Sequence, residues 1–312
     1  MTGKERVMAV LDGKIPDKVP HFEMGFQLCP EALGRAMPVE TDEHGNQMDR
    51  QVFITEYLTV WDLIVKTYDW AAIPVNYKLL GNTGEMIGLA KEHFADQCAV
   101  FDFNGQGTFW MMDGDKMMDF AVRLYDDWNG LIEEAKRKRD NSIELARKQI
   151  ESGADFIIIN SDYAFNKGPF ISPEMFSELV TPFLKEIVDA IHSMGKKAIL
   201  HSDGDLRLIL DQLVSTGLDG YQSIDPQGNM DIAKVRAEYP NLLLMGNVKT
   251  SLLQEVDDKA IRESVRYAMN SAKKGGRFIF STSNVVFKGM PLESYHIMLD
   301  EYEKHAWYSK GK

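Results

Sequence analysis

The stretch Lys197-Ala198-Ile199-Leu200-His201-Ser202-Asp203-Gly204 sets an imidazole and a carboxylate two residues apart where an apolar run ends. A short apolar run bounded by turn residues is the pattern of a strand buried on both faces. Residues i and i+2 of a strand share one face. If this strand is a stave of a closed parallel barrel, His201 and Asp203 both point into the C-terminal mouth, where such folds place their chemistry.

Working outward, strand and helix alternate from residue 127 onward. A charged amphipathic helix is expected over 127–152, stopped by Gly153. Phe156-Ile157-Ile158-Ile159 is a continuous apolar strand. Ser172-Pro173-Glu174 opens the next helix with a capping serine, a proline in the first turn and an early acid, and Gly195 closes it. After the strand ending at His201 the pattern predicts helix 206–215, strand 220–225, helix 231–239, strand 242–247, helix 258–274, strand 277–281 and a final helix from Leu292. Regular alternation with short connections means a parallel sheet. Strands at 19–24, 71–76 and 107–112 bring the total to eight, the number that closes a (β/α)₈ TIM barrel. An open doubly wound sheet is the alternative, but no Gly-x-Gly-x-x-Gly follows a first strand. The expected organisation is a single α/β domain over 1–312. Residues 1–18 form a helical extension opened by the capping box Thr2-x-x-Glu5, and 30–57 form an irregular insertion or lid after the first strand.

With 312 residues, 44% hydrophobic and 26% charged, the chain is long enough for one sizeable core. Its formal net charge of -12 excludes nucleic acid as a main partner, because binding phosphates requires clustered Lys and Arg. The dense basic run Lys136-Arg137-Lys138-Arg139 reads as a solvated helix face, with Glu133, Glu134 and Asp140 in helical reach. No apolar stretch approaches the roughly 20 residues that span a bilayer, and the opening residues lack a signal-peptide core. A cytoplasmic location without membrane contact is therefore expected. Cys29 and Cys98 form no disulfide framework and are expected to be reduced, mostly structural thiols.

The ends of the proposed strands carry His21 and Glu23, Asn76, Asp113, Asn160 and Asp162, His201 and Asp203, Gln222, Asn247, and Thr282 and Asn284. A strand that merely reaches the surface also finishes in polar residues. Here the concentration of Asn, Asp, His and Gln at one end is the signal. His201 and Asp203 can act as a metal or proton-handling pair; the bland alternative is a histidine held by a carbonyl, with Asp203 capping the next helix. His21 and Glu23 repeat the spacing. Asp162 opens a loop whose Tyr163, Phe165 and Lys167 suit a flat anionic or oxygenated ligand, or else are turn chemistry marked by Gly168-Pro169. Trp110, with Met111 and Met112, would add polarisable apolar surface to the mouth, or is core. The expected catalytic residues are His201, Asp203, Glu23 and Asp162. The expected substrate contacts are His21, Trp110, Tyr163, Phe165, Gln222, Asn247 and Asn284.

Five segments carry a family resemblance: Lys4 to Pro20, Gly168 to Phe176, His201-Ser202-Asp203-Gly204, Gly246-Asn247-Val248 and Gly275 to Ser281. In order and spacing they resemble the uroporphyrinogen decarboxylase superfamily, which implies a (β/α)₈ barrel with its site at the C-terminal mouth. True decarboxylases of this type follow the first strand with an arginine-rich stretch that grips porphyrin carboxylates, whereas this chain has His21-Phe22-Glu23-Met24-Gly25-Phe26-Gln27. The resemblance is closer to the corrinoid-dependent methyltransferases, in which zinc sits at the mouth on His-x-Cys and a later Cys. Here the matching positions hold His201, Asp203 and Asn284, so harder oxygen donors replace thiolates. That substitution suits polarisation of an ether or phenolate oxygen. The implied function is transfer of a methyl group from a methoxylated, possibly aromatic, small molecule to the cobalt of a separate corrinoid protein. Zinc on His201 and Asp203, and a homodimer, follow from the same resemblance. A decarboxylase is the alternative, with Lys167, Arg207 and Lys249 as scattered candidate cations; a non-catalytic small-molecule-binding paralogue is another.

Overall fold

The computed structural model describes residues 1–105 and 107–308. Seven parallel strands form one sheet: β1 (Ala72–Pro74), β2 (Ala99–Phe103), β3 (Phe156–Asn160), β6 (Ala198–His201), β7 (Gly220–Ser223), β8 (Leu243–Val248) and β9 (Phe278–Thr282), hydrogen-bonded in that order. A small antiparallel ribbon, β4 (Ala164–Phe165) with β5 (Gly168–Pro169), stands apart from it. Residues 19–22 close the sheet. The Phe280 amide donates to the Pro20 carbonyl at 2.9 Å, and the Ala71 amide donates to the His21 carbonyl at 2.8 Å. This segment thus bridges β9 to β1 as the eighth stave of a (β/α)₈ barrel.

Partners in register across a parallel sheet lie side by side and share a face. Asn160, His201, Gln222, Met245 and Ile279 are successive partners and form one inward layer. Deeper in the lumen the Phe22 ring lies 5.3 Å from Phe101 and 6.1 Å from Phe156, which stack at 5.0 Å. The barrel is therefore filled below its mouth. On the outer face of the same staves, helix Leu292–Ala306 brings Tyr295 and Tyr302 against His21 and Phe280.

Local signals hold at several helix starts. Thr2 and Glu5 make the capping box, Asp127 caps helix Trp128–Glu151, and Ser172 caps Pro173–Leu179 through the Met175 amide. Two expectations are corrected. Residues 107–112 are a loop across the mouth, tied by the Met111 amide to the Asp162 carbonyl at 2.7 Å. The strand is Ala99–Phe103, whose apolar run is broken by a buried acid. The Asp102 carboxylate survives there because it accepts from the Tyr77 and Phe103 amides and from Gln149 Nε2, all within 2.8 Å. Asp113 accordingly precedes helix Gly114–Asp126 rather than ending a strand. The irregular insertion is also shorter than 30–57, because helices Cys29–Leu33 and Arg50–Tyr68 occupy both its ends. Both cysteines are buried and unpaired, and burial pushes their thiols up to about 11 for Cys29 and about 12 for Cys98. Among the described residues no helix is long and apolar enough to cross a membrane.

Candidate functional site

β6 ends in His201, and the chain turns sharply at Gly204, which has φ of +85°. A Cβ there would lie 2.2 Å from the Ala164 carbonyl oxygen, so the turn requires glycine. The turn is pinned on both sides: Ser202 Oγ accepts from the Tyr163 amide at 3.0 Å, and Tyr221 donates its hydroxyl to the Ser202 carbonyl at 3.2 Å. These bonds hold Asp203 facing back toward His201.

The result is a cluster of three: Asp162, His201 and Asp203 each place one ligand atom within 4.8 Å of the others. His201 Nε2 lies 3.7 Å from Asp162 Oδ1 and 4.0 Å from Asp203 Oδ2. Asp162 Oδ1 accepts from the Asp203 amide at 2.9 Å. Asp203 Oδ1 accepts from Ser223 Oγ at 2.5 Å, and its Oδ2 accepts from Asn284 Nδ2. Burial raises the Asp203 carboxyl above its ordinary value; His201 and the Ser223 hydroxyl oppose that rise, while Asp162 and Asp225 add to it. Ser223 reaches Asp203 from a backbone φ of +93°, a conformation non-glycine residues rarely hold and one that concentrates at functional positions.

A divalent cation is a chemical fit to this group. The ion pairs of Asp162 and Asp203 among the described residues are both with His201, so two carboxylates converge on one imidazole with no Lys or Arg to balance them. Nitrogen and oxygen donors from three residues, with the mouth open above, match a catalytic site that keeps a position for substrate. The His201 ring also engages a partner through its other nitrogen, Nδ1, which contacts Gln222 Oε1. Such a bond orients metal-binding histidines.

The other expected site residues divide. Asn284 holds Asp203 rather than substrate, and its Oδ1 accepts from its own chain at the Val285 amide. Gln222 is wholly buried and touches His201, not the open mouth. Asn247 donates to the Ile224 carbonyl at 3.1 Å, joining the ends of β7 and β8. Tyr163 is fully buried between Phe170 and Phe176 and cannot serve as a wall of the mouth. Phe165 is 49% exposed on the β4–β5 ribbon. Trp110 is half-buried in the loop beside Asp162 and lines a cavity of about 360 Å³ with Phe109, Met112 and Phe120, where Lys138 Nζ stands 5.0 Å from its ring.

His21 and Glu23 are corrected outright. His21 lies on the outer face, its Nδ1 3.1 Å from the Phe280 carbonyl and its Nε2 3.1 Å from the Tyr295 hydroxyl. Burial pushes it down to about 4. Glu23 is wholly buried; its Oε2 meets the Thr282 amide and hydroxyl, and burial pushes it up to about 8. Neither touches the cluster. Ser223 is the functional residue that sequence reading missed. A serine after Gln222 gives no periodic signal, and only its position one residue beyond a proposed mouth residue could have marked it.

Fold and site define an α/β barrel with a histidine and two carboxylates at its C-terminal mouth. Residues 109–305 match the sequence model of the Uroporphyrinogen decarboxylase (URO-D) family, and the chain belongs to that family. It is 28% identical over 109 residues to methylcobamide:CoM methyltransferase MtbA of Methanosarcina acetivorans, a match spanning 35% of this chain and 31% of that relative. A solved methyltransferase from Methanosarcina mazei superposes with a TM-score of 0.74 over 97% of this chain and 99% of its own, at 15% identity, which establishes the shared fold.

Proposed function

We propose that this chain is a methyltransferase that moves a methyl group from a methoxylated small molecule, aryl methyl ethers included, to the cobalt of a corrinoid held by a separate protein. The observation that carries the reading is the donor set: one imidazole nitrogen and two carboxylates at a barrel mouth, with both cysteines buried elsewhere. Thiolate-rich sites suit activation of a sulfur substrate, whereas nitrogen and oxygen donors suit an oxygen leaving group. The relative named methylcobamide:CoM methyltransferase, whose name makes the corrinoid a methyl donor, supports a corrinoid as partner in methyl transfer, while the direction from ether to cobalt rests on the donor set.

His201, Asp162 and Asp203 would hold a zinc ion, which when bound would supply Lewis-acid polarisation of the ether oxygen. In the transfer the oxygen–methyl bond breaks, the reduced cobalt of the partner supplies the electron pair of the new bond to carbon, and the released oxygen takes up a proton. With the metal bound that proton would come from water at the open mouth, since a coordinating carboxylate is deprotonated; in a metal-free site Asp203, half-buried and with its carboxyl raised, would instead hold it. Ser223 and Asn284 fix its two oxygens. A decarboxylase would need a free cationic clamp, and Arg207 is instead paired with Asp205 at 2.6 Å.

The test is a visible-spectrum assay of methyl–cobalt formation with the purified protein, a reduced corrinoid protein and a panel of methoxylated donors. At least one donor should turn over, with no turnover by His201→Ala. Decarboxylation of an acidic substrate with no methyl transfer from any donor would overturn the reading.

A further inference from the structure

Gln222 is a wholly buried side chain that meets the cluster histidine at Nδ1, the ring nitrogen other than the one nearest the carboxylates. Its amide has two ends, and their identities follow from their neighbours. One end lies 3.3 Å from the Thr282 carbonyl and 3.3 Å from the Ser283 carbonyl. Carbonyl oxygens only accept, so this end must be the NH₂ group, and the other end, against His201 Nδ1, must be the oxygen. That oxygen also only accepts. The proton of the neutral His201 ring is therefore on Nδ1, and Nε2 presents a bare lone pair toward Asp162 and Asp203.

We infer that Gln222 is a positioning residue, locking His201 in the Nδ1–H tautomer so that Nε2 is available to a metal ion or a proton. The lock is built from backbone, since its fixed points are the carbonyls at the end of β9, and the neighbouring Asn284 holds Asp203 from the same strand end. One short segment, Thr282-Ser283-Asn284, thus sets the orientation of two of the three cluster residues. A residue that merely fills space would serve as well if replaced by an apolar isostere; a tautomer lock would not. The inference rests on the reading of His201 as a ligand and not on the identity of the methyl donor.

Two variants separate these roles in the full-length protein. Gln222→Met keeps the volume and removes both ends of the amide, whereas Gln222→Glu, buried and protonated so that its hydroxyl donates to the Thr282 and Ser283 carbonyls, keeps a carbonyl acceptor against Nδ1. Nitrogen-15 NMR of metal-free protein, with the His201 signal assigned by its loss in His201→Gln, should show the proton on Nδ1 in wild type and Gln222→Glu. In Gln222→Met a tautomer mixture should appear. Chelator competition with Zn²⁺ should show a loss of roughly 10- to 100-fold in affinity for Gln222→Met, the range for removing such a partner, and restoration by Gln222→Glu. A neutral wild-type ring with its proton on Nε2, or Gln222→Met folded and binding Zn²⁺ within about twofold of wild type, would overturn the inference. If wild type binds no Zn²⁺, the proposed metal role fails instead, and the NMR result alone decides the tautomer.

Discussion

The chain contains the same three-residue pattern twice, His21-x-Glu23 and His201-x-Asp203, each at the end of a barrel stave. They meet opposite fates. His201 faces the lumen with one nitrogen on Gln222 and the other open to two carboxylates. His21 faces outward with both nitrogens engaged, wedged among Trp70, Phe280, Tyr295 and Tyr302. Period-two spacing states that two residues share a face and is silent on which face. The intervening residue carries that information: Phe22 enters the phenylalanine layer of the lumen, which turns its neighbours out.

The sharpest way to break this contrast is to delete each histidine. His201→Ala should lose at least about 10³-fold in methyl transfer, the scale for removing a metal- or proton-handling group, while its melting temperature stays close to wild type. His21→Ala should do the reverse, losing about 2–4 kcal/mol in denaturant unfolding, from lost burial and two lost hydrogen bonds, with activity per folded molecule retained. Equal losses of activity in both would end the distinction.

A second contrast concerns the misplaced strand. Phe101→Ala should destabilise by about 3–5 kcal/mol, as for a core aromatic, and Trp110→Ala by about 1 kcal/mol or less. Unfolding curves read both.

Glu23 gives a pH-dependent signature of its burial. Its folded value of about 8 stands above the ordinary 4.5, so the folded state keeps a proton that the unfolded chain has lost. Stability then falls as pH rises between these values. His21, lowered from 6.5 to about 4, works in the opposite direction below pH 6.5 and leaves the window above it to Glu23. Between pH 6.5 and 8 wild type should lose about 2 kcal/mol from this group, and Glu23→Gln should flatten that slope. The smallest effect belongs to Ser223→Ala. Loss of its bond to Asp203 should reduce Zn²⁺ affinity by about threefold to tenfold, the scale of one ordinary net hydrogen bond, as read by chelator competition.

Much of the barrel was legible because buried parallel strands are continuous apolar runs between capped helices, as at Phe156–Ile159 and Lys197–Leu200. The strand Ala99–Phe103 was not, because Asp102 interrupts its run and is stabilised by groups from Tyr77 and Gln149 that lie far off in sequence. The cluster was legible as far as local spacing reaches: His201, Asp203 and Asp162 sit at strand ends and are brought together. The roles of Gln222, Asn284 and Ser223 were not, since each acts through a partner on another stave that only register and closure define. Tyr163 and Phe165 show the same limit, adjacent along a loop but one buried and the other exposed.

Elemental analysis of untagged protein, comparing wild type with His201→Ala, Asp203→Ala and His21→Ala, tests the central claim most directly. A near-stoichiometric divalent metal in wild type and His21→Ala, lost from His201→Ala and Asp203→Ala, is the predicted result. Metal absent from wild type after loading with Zn²⁺, or retained in His201→Ala, would contradict the assignment of the barrel-mouth cluster.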